Sequence, residues 1–170
     1  MEKRMGRLMA GAGVAALVAG FVGLAQSTVE AGSATSGFTV SATVSANCTI
    51  SSGALAFGAY DPVVANASTN LDQTSTITVA CTKGSTSTVS LDNGSNASGS
   101  TRRMKSGTVY LTYEMYNDSA RSVVWNSTNT VSYTAASKAA TGLTLYGRVA
   151  AGQDVPSGSY TDSVVATINF

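Results

Sequence analysis

Residues 109–116 read VYLTYEMY, and the apolar side chains Val109, Leu111, Tyr113 and Met115 fall on every second position. A period of two puts them on one face of a β-strand and turns Tyr110, Thr112, Glu114 and Tyr116 to the other. The same period recurs outward in both directions. Upstream, Ile77, Val79 and Cys81 share a face, as do Val89 and Leu91, and Phe38, Val40, Ala42 and Val44 alternate with Thr39, Ser41, Thr43 and Ser45. Downstream, Leu143, Leu145 and Val149 repeat it, and Val164, Ala166, Ile168 and Phe170 alternate with Val165, Thr167 and Asn169. Asp61-Pro62, Lys83-Gly84, Asn93-Gly94, Asn117-Asp118 and residues 156–158 supply turn chemistry between these runs. No segment after residue 31 carries a capped 3.6-residue period. The pattern predicts a small all-β sandwich, with Greek-key connections by analogy with that class.

Residues 1–31 stand apart. Lys3, Arg4 and Arg7 precede an uncharged apolar stretch from Leu8 to Leu24, and small residues at Val29 and Ala31 suit cleavage after Ala31, with Ala25 as the second choice. This is the plan of a secretory signal peptide. Its loss leaves seven basic and seven acidic side chains, a formally neutral chain, and a neutral surface tolerates self-association. Charged residues make up only 11% of the 170, and histidine is absent. That excludes the basic footprint of a nucleic-acid binder, His-dependent nucleophile systems and His-based metal sites.

Cys48 and Cys81 are the two cysteines of a chain bound for an oxidising compartment, and one disulfide is expected between them. It closes a loop of about 34 residues, worth roughly 3.5–4 kcal/mol on the chain-entropy model. The carboxylates Asp61, Asp72, Asp92, Glu114, Asp118, Asp154 and Asp162 are scattered, with no sign of the facing pair a glycosidase needs. No enzyme activity, catalytic residue, cofactor, metal or small-molecule substrate is expected. Residues 92–96 (DNGSN) read as a hairpin turn rather than a calcium loop, and Arg102, Arg103 and Lys105 as a solvated basic loop. A rival reading makes the protein a monomeric glycan-binding module or adhesin that stacks sugars on Tyr110, Tyr116 and Trp125.

Residues 38–44 have an apolar face, hydroxyls opposite, no charge and no proline. Such a terminal strand is an edge-pairing hazard that natural proteins normally blunt. It pairs either with its own domain or with the open edge of a neighbour, and the pattern alone leaves both open.

Together these segments resemble the spore coat protein U family, whose domain is shared with subunits of archaic chaperone–usher pili. The alternating N-terminal strand is followed four residues on by Cys48, and residues 55–60 (LAFGAY) are similar to the family's "L-x-F-G" segment. Residues 77–81 (ITVAC), 89–94 (VSLDNG), 110–118 (YLTYEMYND) followed by Trp125, 143–148 (LTLYGR) and 156–162 (PSGSYTD) continue the series to the closing strand. The resemblance implies an incomplete immunoglobulin-like sandwich, lacking its last strand, over residues 47–170, with a leader and donor strand over 32–46. It further implies export through the periplasm to the cell or spore surface, with a periplasmic chaperone, an outer-membrane usher and like subunits as partners. On that reading Phe38, Val40, Ala42 and Val44 of one subunit insert into a neighbour's groove lined by Val164, Ala166, Ile168 and Phe170, which the chaperone meets first.

Overall fold

The computed structural model describes residues 29–170, so the expected signal segment lies outside the described residues except for residues 29–31. The chain divides into two units, one ending at Ser41 and one running from Ala42 to Phe170. In the first, the described residues carry no strand and are exposed. The expected strand over 38–44 is therefore not formed in this single chain. A ladder needs a second strand to receive its backbone groups.

The second unit is an all-β sandwich. Strands β1 (Cys48–Ser52), β2 (Leu71–Cys81), β7 (Thr141–Val149), β5 (Val109–Tyr116) and β4 (Arg102–Ser106) lie in that spatial order in one antiparallel sheet. Strands β6 (Val131–Thr134), β3 (Thr86–Leu91) and β8 (Ala166–Asn169) form the other. The period-2 pattern does what it promised: Ile77, Val79, Val89, Leu91, Leu111, Tyr113, Met115, Leu145 and Val149 all face the space between the sheets. An immunoglobulin-type sandwich sets four strands, A, B, E and D, against C, F and G. Here β1, β2, β7 and β5 take the first set, while β3 and β8 take the places of C and F. Among the described residues no strand takes the place of G at the outer edge of β8.

Strands β1, β4 and β6 were not expected from hydrophobic period. The basic stretch read as a solvated loop is strand β4, and Arg102 in it is 1% exposed. Its guanidinium donates to the carbonyls of Asp92 and Trp125 and pairs with Glu114, so the buried charge is fully partnered. Trp125 is wholly buried and its indole N–H donates to the Val89 carbonyl at 2.9 Å. The two side chains thus tie the β4 edge of one sheet to β3 of the other. A second tie on the same flank joins Lys105 and Thr161 by reciprocal backbone bonds of 2.8 and 3.1 Å.

Because Trp125 is wholly buried at this junction, Trp125→Ala is expected to cost about 3–5 kcal/mol. Urea unfolding followed by circular dichroism measures it, and a loss below about 1 kcal/mol would contradict the assignment.

Candidate functional site

The flank opposite Arg102 is not tied. β1 pairs with β2 in the register Cys48↔Cys81 to Ser52↔Ile77, and the Asn47 carbonyl and Gly53 amide bond to Thr82 and Thr76. Odd-numbered residues of β1 thus turn their amides and carbonyls to β2, and Cys48, Ile50 and Ser52 turn theirs to the open edge. The C-terminal segment repeats this arrangement. The Asp92 backbone amide donates to the Val165 carbonyl at 3.0 Å and the Ser95 amide to the Ser163 carbonyl at 2.9 Å, and β8 continues the register through Ser90↔Thr167 and Thr88↔Asn169. The backbone groups of Val164, Ala166 and Ile168 therefore face outward from β8, while their side chains lean on the core.

Between these edges runs a groove. Near β8 it holds a cavity of about 280 Å³ with Ser52, Leu55 and Phe57 on one wall, Asp162, Val164 and Ala166 on the other, and Ile77, Leu91 and Met115 beneath. It continues into a second cavity of about 750 Å³ between residues 55–62 and 155–160, with Leu55, Phe57, Met104 and Tyr160 common to both. One wall rises in residue number as the other falls, so the walls are antiparallel. Cα atoms of β1 and β8 come within 8 Å of each other, yet no ladder joins the two strands. At about 4.8 Å per step, edges bridged by one hydrogen-bonded strand stand about 10 Å apart, slightly farther than β1 and β8 where they come closest.

Gly147 on β7 shapes the first wall. A Cβ there would stand 2.7 Å from Leu55 Cδ2 and 2.9 Å from Phe57 Cζ, so only glycine lets both side chains lie flat across the sheet. Tyr113, buried among them, donates its hydroxyl to Asp162 Oδ2 at 2.8 Å. Burial above all, and then that bond, push its phenol far above the ordinary range. The far end of the groove is braced by Tyr60, whose hydroxyl donates to the Ala150 carbonyl and accepts from the Gln153 amide, both at 2.9 Å.

Of the four expected acceptor residues, Val164 and Ala166 line the groove, Ile168 packs on the core beside it, and Phe170 lies beyond the end of β8 at 58% exposure. Phe38, Val40 and Val44 are 88%, 82% and 81% exposed, and Ala42 is exposed too. Sequence reasoning did not assign the opposite wall, although the quoted Leu55 and Phe57 belong to it. Cys48 and Cys81 form the expected disulfide, which fixes the open-edged strand β1 to β2. Trp125 is sealed inside, so the three-aromatic sugar platform of the rival reading does not exist as a surface. Residues 92–96 are not the expected hairpin turn, since β3 and β4 lie in different sheets; they form a crossover turn in which Asp92 Oδ1 accepts from the Gly94 and Val165 amides, both at 3.0 Å. Among the described residues no group of three or more His, Cys, Asp or Glu gathers to hold a metal.

With two strand edges unbonded among the described residues and an apolar floor between them, the second unit is an incomplete immunoglobulin-like sandwich. The chain belongs to the Spore Coat Protein U domain family, whose model matches residues 34–167. It is 42% identical over 175 residues to Protein U of Myxococcus xanthus, covering 92% of this chain and 96% of that protein. Among solved structures it is similar, with a TM-score of 0.56 and 22% identity, to a chain in the CsuC–CsuE chaperone–tip adhesion subunit pre-assembly complex of archaic chaperone–usher Csu pili from Acinetobacter baumannii. That match covers 75% of this chain and 40% of the other, and it establishes a shared fold.

Two measurements test the site's construction. Gly147→Ala displaces Leu55 and Phe57 and is expected to destabilise the sandwich by about 1–3 kcal/mol, read from urea midpoints. Three carboxylates are held below the ordinary range: Asp72 by the Arg148 hydrogen bond, Asp118 by the Val123 amide and Asp61 by the Val63 amide. A lowered folded pKa contributes stability above the unfolded value near about 3.9, which is lost as pH falls through the folded one. Stability should therefore hold from neutral to about pH 5 and decline through pH 4 and below. A rise on acidification would contradict these pairings.

Proposed function

We propose that the protein is a secreted structural subunit of a spore coat or surface fibre, exported by a chaperone–usher route and polymerised by donor-strand exchange. The observation that carries this reading is the match between a strand without a partner and a groove without a strand. Residues 38–44 offer apolar side chains on one face and, among the described residues, a backbone that joins no ladder. The groove offers an apolar floor between two sets of outward-facing backbone groups. Burial of Phe38, Val40 and Val44 supplies about 5–8 kcal/mol at roughly 1.5–3 kcal/mol each, with little from Ala42. Ladder bonds on both edges add a modest net term each.

The geometry favours one direction of insertion. A subunit's own N-terminal segment joins its sandwich at Asn47, the end where β1 starts. If the incoming strand left the groove at that same end, three sandwiches would meet at one point. Running parallel to β1 and antiparallel to β8, it leaves at the far end, beside residues 60–62 and 155–158, and the copies line up head to tail. This is a heterologous contact, which builds an open chain where the rotation between successive copies does not close a ring.

Residues 1–31 as a signal peptide and 32–46 as leader and donor strand complete the reading. The Csu neighbour, seen together with a chaperone before assembly, supports a periplasmic chaperone as the groove's first occupant and an outer-membrane usher as the exit. The carboxylates favour a structural role: Asp61, Asp92 and Asp118 accept from backbone amides, Asp162 from Asn96 and Tyr113, and Asp72 and Glu114 sit in ion pairs.

The double variant Phe38→Asp, Val40→Asp is expected to stay monomeric while the unmodified chain forms multimers that survive heating in detergent. Gel electrophoresis with and without boiling reads the difference, and equal assembly by both would overturn strand exchange.

A further inference from the structure

We infer that consecutive copies also meet through a second contact outside the groove, a polar seam in which an acidic, valine-tipped end of one copy seats on a basic, alanine-rich end of the next. The inference rests on the strand-exchange reading and on the direction of insertion.

The tether is short. From Val44 to Cys48 a fully extended chain spans at most about 14 Å. Part of that reach is already fixed: Thr82 donates its amide to the Asn47 carbonyl at 2.9 Å, and its hydroxyl accepts from the Asn47 amide at 3.1 Å and reaches the Ser45 carbonyl at 3.3 Å. A sandwich whose strand fills a neighbour's groove is therefore held with its own leader end against the groove's far end.

The two ends are chemically matched. At the groove's far end Asp61 Oδ1 accepts from the Val63 and Val64 amides at 2.9 and 3.1 Å, while the Asn66 amide returns to the Asp61 carbonyl at 2.7 Å. This tight turn presents Val63 and Val64 at 81% and 76% exposure, unusual for valines in so rigid a setting. Exposed Asp154 stands on the neighbouring loop, and the lowered pKa of Asp61 keeps that carboxylate charged. Lys105 lies on the β4 flank with its ammonium 5.9 Å over the Tyr110 ring, and Arg148 is held by Asp72. At the leader end, exposed Lys83 and Lys138 flank exposed Ala136, Ala139 and Ala140, and residues 82–85 and 135–140 include no acidic side chain. None of Asp61, Asp154, Lys83 or Lys138 forms a salt bridge among the described residues. A neutral chain thus carries opposite charge at its two ends, with small apolar residues between the lysines to receive the valines.

Zero-length carbodiimide coupling of assembled, unmodified protein tests the seam directly. The two ends stand at opposite ends of the 11-residue β2, about 33 Å apart at roughly 3.3 Å per residue, too far to couple within one copy. Peptide mapping is expected to join Lys83 or Lys138 to Asp61 or Asp154. In parallel, a Val40→Cys, Ala166→Cys chain reports strand exchange by disulfide-linked ladders. Ladders without a lysine–aspartate link overturn the seam and leave strand exchange standing, whereas absence of both overturns strand exchange and the seam with it. Lys138→Glu is expected to slow elongation about fivefold at low salt, with recovery in Lys138→Glu, Asp154→Lys, because rim charges act mainly on encounter. An unchanged rate for the single variant would also overturn the seam.

Discussion

The structure turns on an unmet hydrogen-bonding requirement. Along β1 and along β8, every second residue turns its amide and carbonyl away from its own sheet, toward a line where no described strand lies. Water satisfies such groups at an ordinary surface edge, and proteins commonly guard those edges with charge or proline. Here the residues concerned include Ile50, Val164, Ala166 and Ile168, and their side chains cover the core instead of guarding it. The backbone groups ask for a strand and the side chains beneath ask for apolar cover. One extended segment with alternating side chains answers both, because in a strand the side chains and the hydrogen-bonding groups point in perpendicular directions.

The opposite flank shows why the sandwich stands while one seam is open. Arg102, Trp125 and the Lys105–Thr161 bridge join the sheets by hydrogen bonds between groups far apart in sequence. The disulfide then secures β1, the strand that would otherwise be held by one neighbour only. Rigidity is concentrated in the walls, where Gly147 lets Leu55 and Phe57 lie close and Tyr60 pins the 150–153 loop. Walls braced within themselves lose little further entropy when the space between them is filled.

Much of this was legible in the residues. The alternation of Leu111, Tyr113 and Met115, or of Val89 and Leu91, could only be a half-buried strand, and the buried set follows it closely. The Cys48–Cys81 bridge followed from count and compartment. Strands β1, β4 and β6 escaped because they are short and at sheet edges, where CTISS, RRMKS and VSYT answer to tertiary pairing more than to pattern. Arg102 escaped for a related reason. Adjacent basic residues read as solvated, and only the placement of the Asp92 and Trp125 carbonyls makes a buried guanidinium tolerable. Trp125 was legible as an aromatic but not as a core residue, since no periodic strand contains it. The groove itself could not be read from period, because a strand that is absent leaves no residues to count.

Neutrality takes on a different meaning once charges are placed. Seven acidic and seven basic side chains after residue 31 suggest a surface without preference. Most of them, however, are spent inside the sandwich or along its flanks, as in the Asp72–Arg148–Arg121 and Glu114–Arg102 pairs. What remains is small in number and sorted by end, aspartates by the groove's far mouth and lysines by the leader. Such a distribution has little net field at a distance, so it attracts foreign polyions weakly. At contact it discriminates by orientation. Head-to-tail copies bring unlike charges together, while tail-to-tail copies oppose lysine to lysine and are disfavoured. In the proposed assembly, strand insertion supplies the strength of the joint, through apolar burial and a ladder on each side. In that assembly the ends supply polarity, and any filament that grows in one direction from repeated identical units needs both.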